Sequence, residues 1–384
     1  MPENELTTRN TVSNLNGILQ ASKIYLITAM VKFPLVISKN GILNGVMSIF
    51  LIGGIISSCS NLLLSRISQK TNNTSYMAIS ENTMGKKTHM YVRTISFLFR
   101  CMIVCYSVDL SFRFLSSSSL ISSTMQTSRL LPLSILGIVL FLSTLILSNP
   151  NSYSFGRSRN TINFLVLCVL TYAFSIKNYK SNIQDVRIEN HSKKCFDSLG
   201  LTCACFAQQL GLVEILSSET FQSKTSIFCS GILASLGYII VGVSGYIGMP
   251  SPDVNWLSNV ENSLIRTPSS LILLLSNIFT FPLQLDPIRR EIQSTLFVTS
   301  SKSKDIMTNL LLTLAFILTS IEFVASKYGI ICCVILSSFI TMIFPSVFYL
   351  KTFERNTLQA YGLLAVGILT LFVGLRNLIN AHIQ

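Results

Sequence analysis

The chain has 384 residues, 49% of them hydrophobic and only 12% charged, with a mean hydropathy of +0.56. Soluble domains carry roughly 25% charged residues, so half that charge with long apolar runs excludes an ordinary soluble domain and indicates a polytopic, all-α membrane protein. The formal charge of +13 does not make nucleic acid a partner: the basic residues stand singly or in pairs between apolar runs, where lysine and arginine orient spans and meet anionic headgroups of the lipid bilayer.

The first sixteen residues are polar and lead straight into the first span. They lack the basic n-region and short apolar core of a cleavable signal. The expected organisation is a cytosolic tail over 1–17 and a single transmembrane domain over 18–384. A crossing needs about 20 apolar residues at 1.5 Å rise each. Eleven stretches qualify, near 18–37, 42–65, 92–117, 130–148, 160–177, 197–217, 226–248, 267–287, 306–326, 329–350 and 358–379. The longest polar segments are 66–91, 178–196 and 249–266. With the N-terminus in the cytosol, more lysine and arginine falls in inside loops than in outside ones, and the C-terminus lies outside. The sequon Asn190-His191-Ser192 then falls in an outside loop; two further sequons begin at Asn72 and Asn73, in a loop placed inside.

The first span, Ala21 to Lys39, carries Lys23 and Lys32 and is interrupted by Pro34. Charge at bilayer depth is costly and normally faces a protein interior or a water-filled path. Proline removes a backbone donor and clashes with the preceding turn, so this helix is expected to kink or open. Lys23 can snorkel inward. Lys32 is expected near the outer end of the broken helix and has no evident role there.

In the third span, Asp109 and Arg113 stand four apart and can pair on one face, while Arg100 can reach the cytosolic headgroups. Glu322 and Lys327 lie toward an end of the ninth span and can snorkel. The sixth span places Gly200, Ala204, Ala207 and Gly211 three or four apart, with Gln208 and Gln209 at mid-depth. Small residues at that spacing permit close helix approach, and the amides serve either interhelical hydrogen bonding or a second discontinuous helix that binds solute. In the eighth span, Pro282 and Pro287 bracket Gln284 and Asp286 and are expected to end the helix, with Arg289 and Arg290 as headgroup anchors. The ten cysteines form no paired CxxC motifs and the three histidines are scattered, so neither metal nor thiol redox chemistry is indicated. No Ser/His/Asp set, glycine-rich phosphate loop or HExxH occurs, so neither an enzyme nor a cofactor is expected.

Four stretches, with a tenth-span proline in SSFITMIFPSVFYLK, resemble the amino acid/auxin permease family in order and spacing through nearly the whole chain. PLVISKNGILNGVMSIFLIGGIISSCSNLLL is similar to the family's first-span proline, short turn and second span. FAQQLGLVEILSSE resembles its sixth-span motif, with Glu219 at the acidic position. GYIIVGVSGYIGMP resembles its seventh-span pattern through Tyr238, Gly242, Gly245 and Tyr246, and NIFTFPLQLDPIRREIQ resembles its eighth-span motif, the most specific of the four.

The resemblance implies a LeuT-type fold: two inverted five-helix repeats plus one helix, with the first and sixth spans unwound at mid-membrane. It implies transport of an amino acid by alternating access, with a site formed by Thr28, Ala29 and Met30 at the first break and Phe206, Ala207 and Gln208 at the second, and by Tyr106 and Thr280 from the scaffold. Counting back from Pro34, the family's first-span asparagine falls on Lys23 and its glycines on Ile27 and Ala29. An ammonium at that asparagine would take the place of a coupling cation or repel it. Proton coupling (H+) or facilitated exchange is therefore expected rather than Na+ coupling, in a monomer of the plasma membrane or a vacuole- or lysosome-like membrane. The rival reading is a sensor that keeps the fold and reports substrate binding without transport.

Overall fold

The computed structural model describes residues 32–73, 75–118, 130–146, 224–249, 263–296, 302–320, 327–353 and 357–383, with short pieces at 168–169, 171–173, 175–176, 186–188, 202–203 and 206. Among the described residues all regular structure is helical. The helices are α1 (Phe33–Asn40), α2 (Ile42–Thr71), α3 (Tyr76–Ser117), α4 (Leu130–Ile146), α5 (Lys224–Gly248), α6 (Ser263–Leu296) and α7 (Lys302–Ser320). α8 runs through Lys327–Ser338, a π-helical turn Phe339–Ile343 and Phe344–Phe353, and α9 is Leu358–Ile383. Six of the described helices are long and apolar enough to cross a membrane. The fifth and sixth spans expected from the sequence lie mostly outside the described residues.

Most of the first expected span, up to residue 31, lies outside the described residues, and Pro34 stands at the head of its described part. It sits in the first turn of α1, where its missing N–H costs no intrahelical bond. The chain turns at Gly41 with φ 78°, a conformation open to glycine, and α2 follows at once. Its first donors are satisfied from elsewhere: Ile42 N–H and Leu43 N–H donate to the carbonyls of Arg187 and Ile188 at 3.2 and 3.0 Å. Tyr246 of α5 holds that capping segment by accepting from Arg187 N–H at 3.0 Å.

α1 and α2 both lie against α5, and glycines make the approach possible. A β-carbon at position 245 would stand 2.4 Å from Pro34 Cγ, and one at position 242 would stand 3.3 Å from Phe33 O. Further along, Gly231 faces Ser58, and Gly54 faces Ser235. Small residues bring helices together where lipid supplies no hydrophobic drive.

The segment 66–91 is not a polar loop, as its composition suggests. α2 continues to Thr71 and closes on Asn72 in the left-handed region, and α3 starts after Ser75, whose side chain accepts from Ala78 N–H at 3.2 Å. Gly85, at φ 75°, divides α3 into a short leading helix and the membrane-length rod. The sequon-bearing residues Asn72 and Ser75 thus serve as a helix stop and a helix start. The leading helix docks on α8: Tyr76 Oη donates to Ile340 O at 3.1 Å. Ile340 lies in the π-helical turn, where the hydrogen-bond pattern is offset and a carbonyl is left for an outside donor. Tyr76→Phe is expected to cost about 1 kcal/mol, read as a lowered thermal midpoint in detergent with helicity preserved.

The eighth span also departs from expectation. α6 continues through Pro282 and Pro287 to Leu296. Asp286 bonds Arg289 and also Arg290, the latter at 2.8 Å, one turn ahead, while Glu291 bonds Arg93 of α3 at 2.8 Å. These pairs hold the turn that the prolines leave short of donors. Arg289 is therefore no headgroup anchor; it is 17% exposed and also faces Asp305 of α7 at 4.0 Å. Arg290, 70% exposed, keeps its guanidinium in the open. Asp109 and Arg113 pair at 2.9 Å, as their spacing requires.

Candidate functional site

The polar chemistry of the interior gathers where α3 and α6 run antiparallel. From one end to the other, Arg93 meets Glu291, Ser107 Oγ donates to Gln284 Oε1 at 2.7 Å, and Asn277 Nδ2 donates to Ser107 O at 3.2 Å and Ser111 Oγ at 3.1 Å. Ser117 and Ser270 hydroxyls close the seam at 2.8 Å. Its length is roughly 36 Å at the helical rise, enough to register the two helices through the whole apolar layer. Cys105 adds a contact to α7, 3.3 Å from Thr319 Oγ1.

One turn of this seam faces the start of α1. Lys32, the residue before the first helical position, is 5% exposed, and its Nζ lies 3.6 Å from the centroid of the Tyr106 ring. The electron-rich face of a phenol attracts an ammonium, and the attraction grows when water is excluded. Tyr106 Oη is buried and accepts or donates no hydrogen bond among the described residues. Lys32 thus stands buried at the start of α1.

A second cluster is aromatic. Phe33 stacks on Tyr238 with centroids 4.4 Å apart, and Phe206 meets Tyr238 edge-on at 5.0 Å and Phe33 at 6.4 Å. All three rings are buried. The far edge of the Phe206 ring lies against Gly53, where a β-carbon would fall 2.0 Å from Phe206 Cζ. Ser57 Oγ donates to Phe206 O at 3.5 Å. The first, second, sixth and seventh spans therefore meet at one aromatic knot.

Of the residues expected to form the site, Lys23, Thr28, Ala29, Met30, Ala207 and Gln208 lie outside the described residues. Tyr106 and Thr280 lie on the two helices that share the polar seam. Thr280 is buried, and its hydroxyl donates to Ser276 O and Asn277 O of its own helix, each at 3.1 Å. Phe206 is joined to Phe33 and Tyr238 rather than to Tyr106. Sequence reasoning passed over Asn277, Ser107 and Ser111. A signal was present: Asn277 and Gln284 are seven apart on an apolar helix and Ser107 and Ser111 are four apart, each spacing returning to one face. Among the described residues, no three of His, Cys, Asp or Glu gather to hold a metal ion.

The family model described as "Transmembrane amino acid transporter protein" matches residues 13–380. No curated protein sequence matches the chain. Among solved structures, MhsT in complex with L-phenylalanine superposes with a TM-score of 0.61 at 13% identity, over 93% of this chain and 98% of that one. At that identity the likeness speaks for the fold, which is the LeuT-type arrangement of a multi-pass integral membrane protein. With almost its full length matched, the chain belongs to the transmembrane amino acid transporter family.

Proposed function

We propose that the protein carries an amino acid through the membrane by alternating access, coupled to protons or to no ion rather than to sodium. The observation that supports this most is Lys32, two residues after Met30 and buried at the head of α1, reaching across to Tyr106 on α3. A first span broken at residues 28 to 30 would present free amide donors and the positive end of a helix dipole to an anionic group. In this reading Thr28, Ala29 and Met30 surround the substrate carboxylate, Ala207 and Gln208 supply backbone from the sixth span, and Tyr106 and Thr280 lie on the scaffold side. Phe206 fastens the sixth span to the second and seventh, so that the spans bearing the substrate move as one body. Lys23 takes the place of a coupling cation. The L-phenylalanine in the MhsT complex is consistent with a zwitterionic substrate for this fold.

Counterflow of labelled amino acids in proteoliposomes tests the proposal. Exchange is expected, and it should persist when choline replaces sodium on both sides. Exchange abolished by choline would refute the role given to Lys23. Saturable binding without exchange would identify a sensor instead.

A further inference from the structure

We propose that Lys86, Lys87 and Tyr91, where the membrane-length rod of α3 begins, form a binding site for one anionic phospholipid of the cytosolic leaflet. Such a site is independent of the transport reading. It is also more than the diffuse attraction of loop lysines for headgroups, because its side chains are fixed on one helix face.

Gly85, at φ 75°, ends the leading helix, and the rod starts at Lys86. The break is held from both sides. Ser80 Oγ and His89 Nδ1 lie 3.0 Å apart across it, and Tyr76 bonds the leading helix to α8. Both lysines are exposed, and among the described residues neither ammonium has a partner. The acidic residues of α3 are Glu81, which precedes the break, and Asp109, which is paired with Arg113. The orientation expected from loop charge puts this corner at the cytosolic face, where the leaflet is the anionic one.

Lys87, Tyr91, Thr94 and Leu98 recur at intervals of four, three and four residues and share one face, and all four are exposed. Val92, Ser96 and Phe99, on the opposite face, are buried. Thr94 Oγ1 donates to Met90 O at 2.9 Å, which hides its polar group. The outer face thus passes from ammonium to phenol to aliphatic carbon. At the helical rise, Tyr91 lies about 6 Å and Leu98 about 16 Å deeper than Lys87. A headgroup layer is roughly 5–7 Å thick. With the ammonium at phosphate level, the Tyr91 ring falls at the lower edge of that layer, where aromatic rings settle, and Leu98 falls among the acyl chains. Lys86 and Met90 flank the same face on one side. Each lysine near an anionic headgroup strengthens binding about fivefold, so the pair gives about 30-fold.

The test titrates short-chain phosphatidylserine and phosphatidylcholine into the full-length protein in detergent. Bound lipid is counted by native mass spectrometry, with the thermal unfolding midpoint as a second readout. Phosphatidylserine should saturate one site about 30-fold more tightly than phosphatidylcholine. In Lys86→Gln/Lys87→Gln that ratio should fall toward one, and in Lys86→Arg/Lys87→Arg, which keeps both charges, it should be retained. Lys351→Gln, which removes an exposed lysine at the end of α8, should leave it unchanged. Equal affinity for the two lipids in the wild type overturns the proposal, whatever the folding of the variants. A loss in Lys351→Gln as large as that in Lys87→Gln would mean diffuse attraction and overturns it too. So does competition by glycerophosphoserine, which lacks acyl chains, at the affinity of the lipid, since the site would then be one for a soluble anion.

Discussion

Gly53→Ala is expected to destabilise the detergent-solubilised protein by about 3 kcal/mol, and the same substitution in a Phe206→Ala background should cost a small fraction of that. The new methyl would fall 2.0 to 2.4 Å from three carbons of the Phe206 ring, well inside any permissible contact. The ring has little freedom to retreat. Phe33 lies edge-on to it at 6.4 Å and Tyr238 at 5.0 Å, and these two are themselves stacked. Overpacking of this kind usually costs about 1–3 kcal/mol, and a ring confined by two others belongs at the upper end. Phe206→Ala is itself expected to cost about 3–5 kcal/mol through the cavity it leaves. The informative quantity is the coupling between the two sites, read from a double-mutant cycle of thermal or SDS unfolding. Simple additivity would show that Phe206 does not occupy the face of Gly53.

Asp286→Ala is expected to cost about 3 kcal/mol and to melt the end of α6. Asp286 accepts from two arginines at once, and Arg289 Nε is already buried with no hydrogen-bond partner. Removing the carboxylate leaves Arg289 only the longer approach to Asp305, at 4.0 Å, among the described residues, and a buried charge that loses its partner costs far more than the pair contributed. Helix loss should follow because the residues around Pro282 and Pro287 have fewer backbone bonds with which to resist fraying. Asp109→Asn provides the contrast. Its partner Arg113 is 30% exposed, so its loss should cost less than about 1 kcal/mol. Chemical denaturation with circular dichroism reads both; similar losses would mean that the cluster around Asp286 is no more than another surface pair.

Several features were legible because they depend on short-range pattern alone. The Asp109–Arg113 pair follows from helical spacing, and the apolar runs correspond closely to α4, α5, α8 and α9. Errors arose where local composition and tertiary contact disagree. The polar stretch 66–91 was expected to be a loop, yet Ser75, Gly85 and the docking of Tyr76 on Ile340 make most of it helix. Pro282 and Pro287 were expected to end a helix that ion pairs to Arg289, Arg290 and Arg93 carry onward. Lys32 had no evident role in the sequence because its contact with Tyr106 lies on another helix.

By itself, the sequence determined a helical multi-pass membrane protein, most of its spans and its family, because apolar length and the order of proline, glycine and charged motifs are properties of the linear chain. Only the tertiary structure decided which residues meet: Lys32 with Tyr106, Phe206 with Gly53 and Tyr238, and Asn277 with Ser107. The physical reason is separation. These partners lie between about 30 and 170 residues apart on different helices, Lys32 and Tyr106 among them at 74, and helical periodicity relates only residues within a few turns of one another.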